Sequence, residues 1–325
     1  MTITPLAPIS PSTLQGLSVL ITGGASGLGL SAARYLAASG AVVTIADIQD
    51  GTAIAAELSS QGQRVQFVHC DTTDWESQVK AFQAALAFSP TKTLDAVAAF
   101  AGVDRTGHLV DHVAAAEVSL DGPPPPMPSL GPIEVNLKGT FYTATLALHY
   151  FRLPSSTRVS RSLTIVSSLA GYVDDTHSTA YTASKFGSRG LFRAIRQQAH
   201  SQLDVRVNAI CPWAMQTPMI ESALQRMADF GILPGKGITM VPHNVLTQAL
   251  GRIIGDETIA GTTVLLPFLT LEDNASGYAC GCARGYARVY AMDNARKCAE
   301  CHCMLMIVPR SGYRHCPGRR GGYRR

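Results

Sequence analysis

The sequence predicts an α/β fold: a doubly wound parallel sheet of about seven strands with helices on both faces, forming a single domain followed by an atypical C-terminal tail. Three observations predict it. Short apolar runs alternate with helical patterns through the first 267 residues. The first run feeds a glycine cluster, Thr22-Gly23-Gly24-Ala25-Ser26-Gly27-Leu28-Gly29, which opens a helical pattern. Further on, Tyr181 and Lys185 stand four residues apart in a helical segment, with Ser168 upstream.

Taken in order, the expected strands are Ser18–Thr22, Val42–Ala46, Val65–His69, Ala96–Ala99, Leu163–Ser167, Val205–Ile210 and Thr262–Leu266. The helical patterns between and after them include Leu28–Ser39, Asp50–Gln61, Trp75–Phe88, Glu134–Phe151, Ser178–Gln202 and Met219–Phe230. Asp121–Pro128 carries four consecutive prolines, Pro123 to Pro126, and must be a surface loop leading into the helix around Asn136. Residues 1–13 read as an N-terminal arm, 14–267 as the catalytic domain and 268–325 as a Cys/Arg/Gly-rich tail.

Composition bounds the function classes. The 325 residues carry 27 Lys or Arg against 23 Asp or Glu, but the excess is local. From Phe268 onward ten basic residues face four acidic ones, leaving seventeen against nineteen before it. A basic tail on a slightly acidic body gives thin support for nucleic acid, and none is expected as a partner. No apolar run is long enough for a membrane span, and Met1–Gln15 lacks the basic start of a secretion signal. Of eight cysteines, only Cys70 and Cys211 lie in the body, which suits a reducing, cytoplasmic compartment. The tail's Cys280-x-Cys282 and Cys298-x-x-Cys301-x-Cys303, with His302, His315 and Cys316, do not form two clean C-x-x-C knuckles, so no metal is assigned. The abrupt change of composition resembles a wrong reading frame or a retained intron, and the expectation is a disordered or spurious extension.

The glycine cluster makes the domain Rossmann-type. Gly23 turns the chain, Gly27 admits a pyrophosphate close to the backbone, and Gly29 lets helix pack on sheet. Thr22, Ser26 and Leu28 complete that cofactor-binding turn, whose helix N-terminus favours phosphate. Asp47 ends the second strand eighteen residues past Gly29. A carboxylate there accepts from ribose hydroxyls and repels a 2′-phosphate, and neither Ser26 nor Ile48 is a cation that would welcome one. The expected cofactor is therefore NAD. Beside it, a lysine ammonium one turn from a tyrosine favours the phenolate and makes Tyr181 a general acid–base.

These motifs resemble the classical short-chain dehydrogenase/reductase family over roughly Leu14–Pro267. The resemblance implies that Tyr181 transfers the proton and Lys185 steadies its phenolate and meets the nicotinamide ribose. It implies that Ser168, thirteen residues upstream of Tyr181, holds the substrate oxygen, and that Asn136 positions a water of the proton relay. It also implies cofactor roles for Asp71 near the adenine, and for Pro212 and Thr217 near the nicotinamide carboxamide. Ala99-Phe100-Ala101-Gly102 stands where the family usually has Asn-Asn-Ala-Gly, so Ala101 and Gly102 keep the close backbone approach while two strand-tying amides are missing. Trp213 replaces the usual glycine after Pro212.

The segments Asp121–Asn136, Phe141–Phe151 and Val207–Pro218 are most similar to fungal 15-hydroxyprostaglandin dehydrogenase-like enzymes, including hydroxyaverantin-type dehydrogenases of polyketide pathways. That implies a hydrophobic secondary alcohol or ketone as substrate in secondary metabolism. Trp213, Met215, Met219, Ile220, Met227, Phe230, Ile232 and Met240 are the candidate apolar cover. Relatives suggest a homodimer or homotetramer. A catalytically silent dinucleotide sensor stands as the alternative, though it would not require the Ser-Tyr-Lys-Asn set.

Overall fold

The computed structural model describes residues 9–104, 107–116, 118–154, 160–173, 178–229, 240–266 and 306–308. Within them lie strands β1 (Ser18–Thr22), β2 (Val42–Asp47), β3 (Val65–His69), β4 (Ala96–Ala99), β5 (Arg161–Val166), β6 (Val205–Pro212), β7 (Thr263–Leu266) and β8 (Met306–Val308). The helices are α1 (Gly27–Ala38), α2 (Thr52–Ser60), α3 (Trp75–Phe88), α4 (Leu109–Ala114), α5 (Thr140–Tyr150), α6 (Thr179–Leu203), α7 (Pro218–Asp229) and α8 (His243–Gly255).

The sheet runs β3-β2-β1-β4-β5-β6-β7-β8. The first seven strands pair in parallel, as expected of a Rossmann-type sheet. Strand order reverses between β1 and β4, and such a switch point opens a crevice at the carboxyl ends of the strands. Both faces are covered, so a strand such as β1 is buried at every residue. Alternation sends Val19 and Ile21 into one core with Leu36, Leu246, Leu250 and Ile253, while Leu20 enters the other with Phe82, Leu163 and Phe192.

Three departures from the sequence reading matter. The helix expected at Glu134–Phe151 begins as a π-helical stretch, Ile133–Gly139, and turns α-helical only at Thr140. Helix α8 closes the α1 face, and its apolar residues at 246, 249, 250, 253 and 254 carried the 3.6-residue signal. The third is β8, three residues of the tail that pair antiparallel with β7. The rest of the tail, including its cysteines and histidines, lies outside the described residues, as does the start of the N-terminal arm.

Charged groups bury themselves where backbone ends need them. Arg206, on β6 and 1% exposed, donates from Nη1 to the carbonyls of Ile253 (2.6 Å), Asp256 (3.1 Å) and Ile259 (3.1 Å). Its Nη2 donates to the carbonyls of Ile254 (2.8 Å) and Ser160 (3.1 Å). One side chain thus caps the carboxyl end of α8 and ties it to the sheet. Asp95 accepts from the Ser18 amide at 2.8 Å and from Arg161 Nη1 at 2.6 Å, joining β1, β4 and β5 at their amino ends.

Candidate active site

The glycine turn and the loop after β4 meet in the crevice. Gly23 has a positive φ of 70°, and a Cβ there would lie 2.5 Å from the Ala101 amide nitrogen. A Cβ on Gly29 would collide with the Gly23 carbonyl, so this residue must be glycine for α1 to start where it does. Gly27, at φ 51°, faces Thr217 across the crevice, 3.4 Å from the threonine Cγ2 to the position a Cβ would take. The first turn of α1 carries no acidic residue, and the Ser26 side chain makes no cap bond. Its leading N–H groups and positive helix end are thus arranged for a phosphate.

Asp47 ends β2 and is 5% exposed. Oδ2 accepts from the Ala25 amide and Oδ1 from the Gln49 amide, both at 2.9 Å. The carboxylate therefore holds the glycine turn in place, and each oxygen keeps a lone pair for a ribose hydroxyl. Ile48 beside it is exposed and apolar. Asp71, at the end of β3, accepts through Oδ1 from the Thr73 amide and hydroxyl, each at 2.8 Å, in a local turn. Thr22 Oγ1, opposite Ala99 in the β1–β4 register, is buried without a hydrogen-bond partner among the described residues.

The expected catalytic residues converge at the start of α6. Lys185 Nζ lies 5.5 Å from the centre of the Tyr181 ring and donates to the Val166 carbonyl at 3.2 Å. Ser168 ends the β5 segment and caps the short turn Leu169–Gly171, its Oγ accepting from the Ala170 amide at 3.1 Å. That bond uses one of the hydroxyl's two lone pairs and leaves its proton for a ligand oxygen. A Cβ on Gly171 would sit 2.8 Å from the Lys185 carbonyl, so glycine lets the Ser168 turn rest on α6.

Asn136, 1% exposed, sits within the π-helical stretch, a geometry that often marks functional sites. Its Oδ1 accepts from the Val103 amide at 2.7 Å; its Nδ2 donates to the Val103 carbonyl and to Ser184 Oγ, both at 3.0 Å. Ser184 Oγ in turn donates to the Tyr181 carbonyl at 2.6 Å. Asn136 thereby clamps the loop after β4 to the helix that carries Tyr181. Both amide protons go to protein acceptors, which leaves Oδ1 as its side-chain contact for a water. Ser184 was missed in the sequence, although it lies inside the Tyr-Thr-Ala-Ser-Lys segment.

Around this centre, Met215 is buried, Met219, Ile220 and Met240 are half-buried, and Trp213 is 37% exposed. The side chain of Met227, together with Phe230 and Ile232, lies outside the described residues.

The short chain dehydrogenase family model matches residues 18–228. The chain belongs to the short-chain dehydrogenase family. It is accordingly an oxidoreductase of alcohols and ketones that uses a nicotinamide dinucleotide. It is 47% identical over 244 residues to a 5′-hydroxyaverantin dehydrogenase of Dothistroma septosporum, covering 73% of this chain and 79% of that one. The enzyme stcG of Emericella nidulans, of the same name, is 42% identical over 258 residues, covering 77% and 84%. A Cochliobolus lunatus protein named as an NADP-dependent dehydrogenase, clz5, is 36% identical over 206 residues, covering 61% and 71%. Among solved structures, gox2181 superposes with a TM-score of 0.61 at 21% identity, over 78% of this chain and 95% of that one. That likeness speaks to the fold alone.

In this short-chain dehydrogenase, burial pushes the Lys185 pKa down to about 8 from an ordinary 10.5, against the opposing influence of Cys211 and Asp104. Folding must therefore desolvate an ammonium below pH 8, at a cost of about 3 kcal/mol. Between about pH 8 and 10.5 the unfolded chain still binds that proton while the folded one has released it, so stability climbs with pH. Lys185→Met is expected to be more stable than the wild type at pH 7 and to lose that advantage by pH 10. Urea midpoints of both proteins at the two pH values measure this, and a pH-independent difference would contradict it.

Among the described residues no group of three or more His, Cys, Asp or Glu side chains could hold a metal, and no helix is long and apolar enough to cross a membrane.

Proposed function

We propose that the chain is an NAD-dependent dehydrogenase interconverting a hydrophobic secondary alcohol and its ketone in polyketide-type secondary metabolism. The catalytic unit in this reading is 14–267. Asp47 carries the NAD assignment: it is a buried carboxylate at the ribose position, with uncharged Ser26 and exposed Ile48 beside it. The two relatives named as 5′-hydroxyaverantin dehydrogenases support the substrate class. Trp213 and Met240, which keep exposed apolar surface, are assigned to the wall for such a molecule, while Met215 belongs to the core behind them. Cys70 and Cys211 are buried free thiols, which supports a reducing, cytosolic setting.

When bound, the nicotinamide supplies hydride exchange at the alcohol carbon. The protein's own residues handle the oxygen. Ser168 Oγ donates to it, opposing the charge that develops there. Tyr181, as phenolate, takes the hydroxyl proton during oxidation and returns it during reduction. The Lys185 ammonium favours that phenolate electrostatically. Asn136 keeps the Gly102–Val103 loop against α6, so the crevice floor and Tyr181 hold one spacing. Thr217, which faces Gly27, and Pro212, which ends β6, are assigned to the opposite wall.

Reduced-cofactor absorbance over a panel of lipophilic secondary alcohols tests the proposal. The expected result is turnover with kcat/KM for NAD at least about tenfold above that for NADP, the carboxylate opposing a 2′-phosphate. A preference for NADP would overturn the cofactor assignment, and turnover confined to small polar alcohols would overturn the substrate class.

A further inference from the structure

His243 has no role in the chemistry above, yet it touches both walls of the dinucleotide crevice. Its Nε2 lies 2.6 Å from the Gln216 carbonyl, next to Thr217. Its Nδ1 lies 2.7 Å from Ser31 Oγ, which also reaches the Gly27 carbonyl at 3.2 Å. A carbonyl only accepts, so Nε2 carries a proton. Nδ1 then either accepts from the Ser31 hydroxyl or, in the imidazolium, donates to it. In the first case the hydroxyl's one proton is spent on the ring and the Gly27 carbonyl forgoes it; in the second it goes on to that carbonyl, and in both the ring joins Ser31 of α1 to the segment after β6.

We infer that His243 is a positioning residue for dinucleotide binding, a clasp that sets the separation between the Gly27 turn and the Gln216–Thr217 segment. The inference rests on the family's use of that cofactor and on the placement of its site given above. The fold has other means of holding this region. The Val241 amide donates to the Ala214 carbonyl at 2.9 Å, and Leu246, Leu250 and Ile253 bury α8 against the α1 face. The imidazole adds something those contacts do not: a side-chain tie from the Gln216 backbone carbonyl to Ser31 on α1, joining the segment after β6 to the helix that opens the glycine turn. The Gln216 side chain extends the tie, its Nε2 donating to Glu221 Oε1 at 2.7 Å in the first turn of α7. Without the clasp, the two walls relax apart, and binding must restore their spacing.

The test is a fluorescence titration of the full-length protein with NADH and with NADPH, paired with steady-state kinetics. His243→Ala is expected to raise the dinucleotide Kd about three- to tenfold, the worth of one or two hydrogen bonds. KM for the dinucleotide should rise by more than kcat falls. Ser31→Ala should weaken binding in the same direction, and the double variant should bind no worse than the weaker single one, since both remove one tie. His243→Gln, whose amide nitrogen can take the place of Nε2 but leaves nothing at Nδ1, restores only the Gln216 end and should bind no better than Ser31→Ala. A wild-type Kd in folded His243→Ala, additive losses in the double variant, or wild-type affinity in His243→Gln would each overturn the clasp. If His243→Ala yields no folded protein, the Ser31→Ala titration decides: weakened binding supports the clasp, and a wild-type Kd overturns it. A wild type that binds neither dinucleotide would overturn the site's reading as well, whereas preference for NADPH overturns the NAD assignment and leaves the clasp measurable.

Discussion

Tyr181→Phe is expected to lower kcat by about 10³-fold or more while dinucleotide affinity stays within a few-fold of wild type. The substitution removes one oxygen and keeps the ring that lies 5.5 Å from Lys185 Nζ. Packing at the start of α6 therefore persists, and Ser184 still donates to the backbone carbonyl of residue 181, which the change leaves intact. What disappears is the group able to exchange a proton with the substrate oxygen, and positioned acid–base groups supply about 10²- to 10⁴-fold. Ser168 cannot replace it, because an alkyl hydroxyl is far less acidic than a phenol and remains a hydrogen-bond donor at working pH. Single-turnover kinetics with saturating cofactor, alongside a binding titration, separate the two effects. Retention of more than a tenth of wild-type kcat would remove Tyr181 from the proton path.

Arg206→Met is expected to destabilise the fold by about 3–5 kcal/mol, because several buried carbonyls lose their donor at once, each at a cost of about 1–3 kcal/mol before relaxation. Methionine approximates the arginine stem in volume, so the loss isolates the guanidinium. The carbonyls of Ile253, Ile254, Asp256 and Ile259 would lose this donor together. Burial already pulls the Arg206 pKa below the ordinary arginine value, a sign of how far this charge is from water. The end of α8 should fray first, and that helix also begins with His243. A fall in melting temperature of about 10 °C would match the energy for a domain of this size. Added dinucleotide should offset part of that fall by mass action. A loss under about 1 kcal/mol would mean that rearranged backbone or water replaces the lost donors.

The sequence disclosed most where the determinants were local. A strand, a tight glycine turn and a helix follow one another within Ser18–Ala38, and every residue that makes that turn work is in the same short window. The Tyr181–Lys185 pair needed only helical periodicity. Asp47 was found by its distance from Gly29, although its hold on the Ala25 amide was invisible without the turn's geometry. Legibility failed where partners are far apart in the chain. Asn136 and Val103 are separated by 33 residues, and nothing near either one announces the other. Arg206 is a charge in an apolar strand that the sequence reading passed over, because its acceptors at the end of α8 lie about fifty residues downstream. His243 and Ser31 are 212 residues apart and meet only because α8 packs on α1. The three-residue strand β8 was hidden in a tail with no sustained alternation.

Because a π-turn holds one more residue than the α-turn it replaces, 133–139 offsets the angular phase of Asn136 from that of the helix after it. Thr143, Ala144 and Ala147 can keep facing the interior while the amide faces Val103. Losing one residue from that stretch would rewind it and swing the asparagine about 100° around the axis. Every catalytic side chain would still be encoded, and the brace between the crevice floor and α6 would be gone. In this enzyme, a change of length in one short run is a graver lesion than most changes of letter.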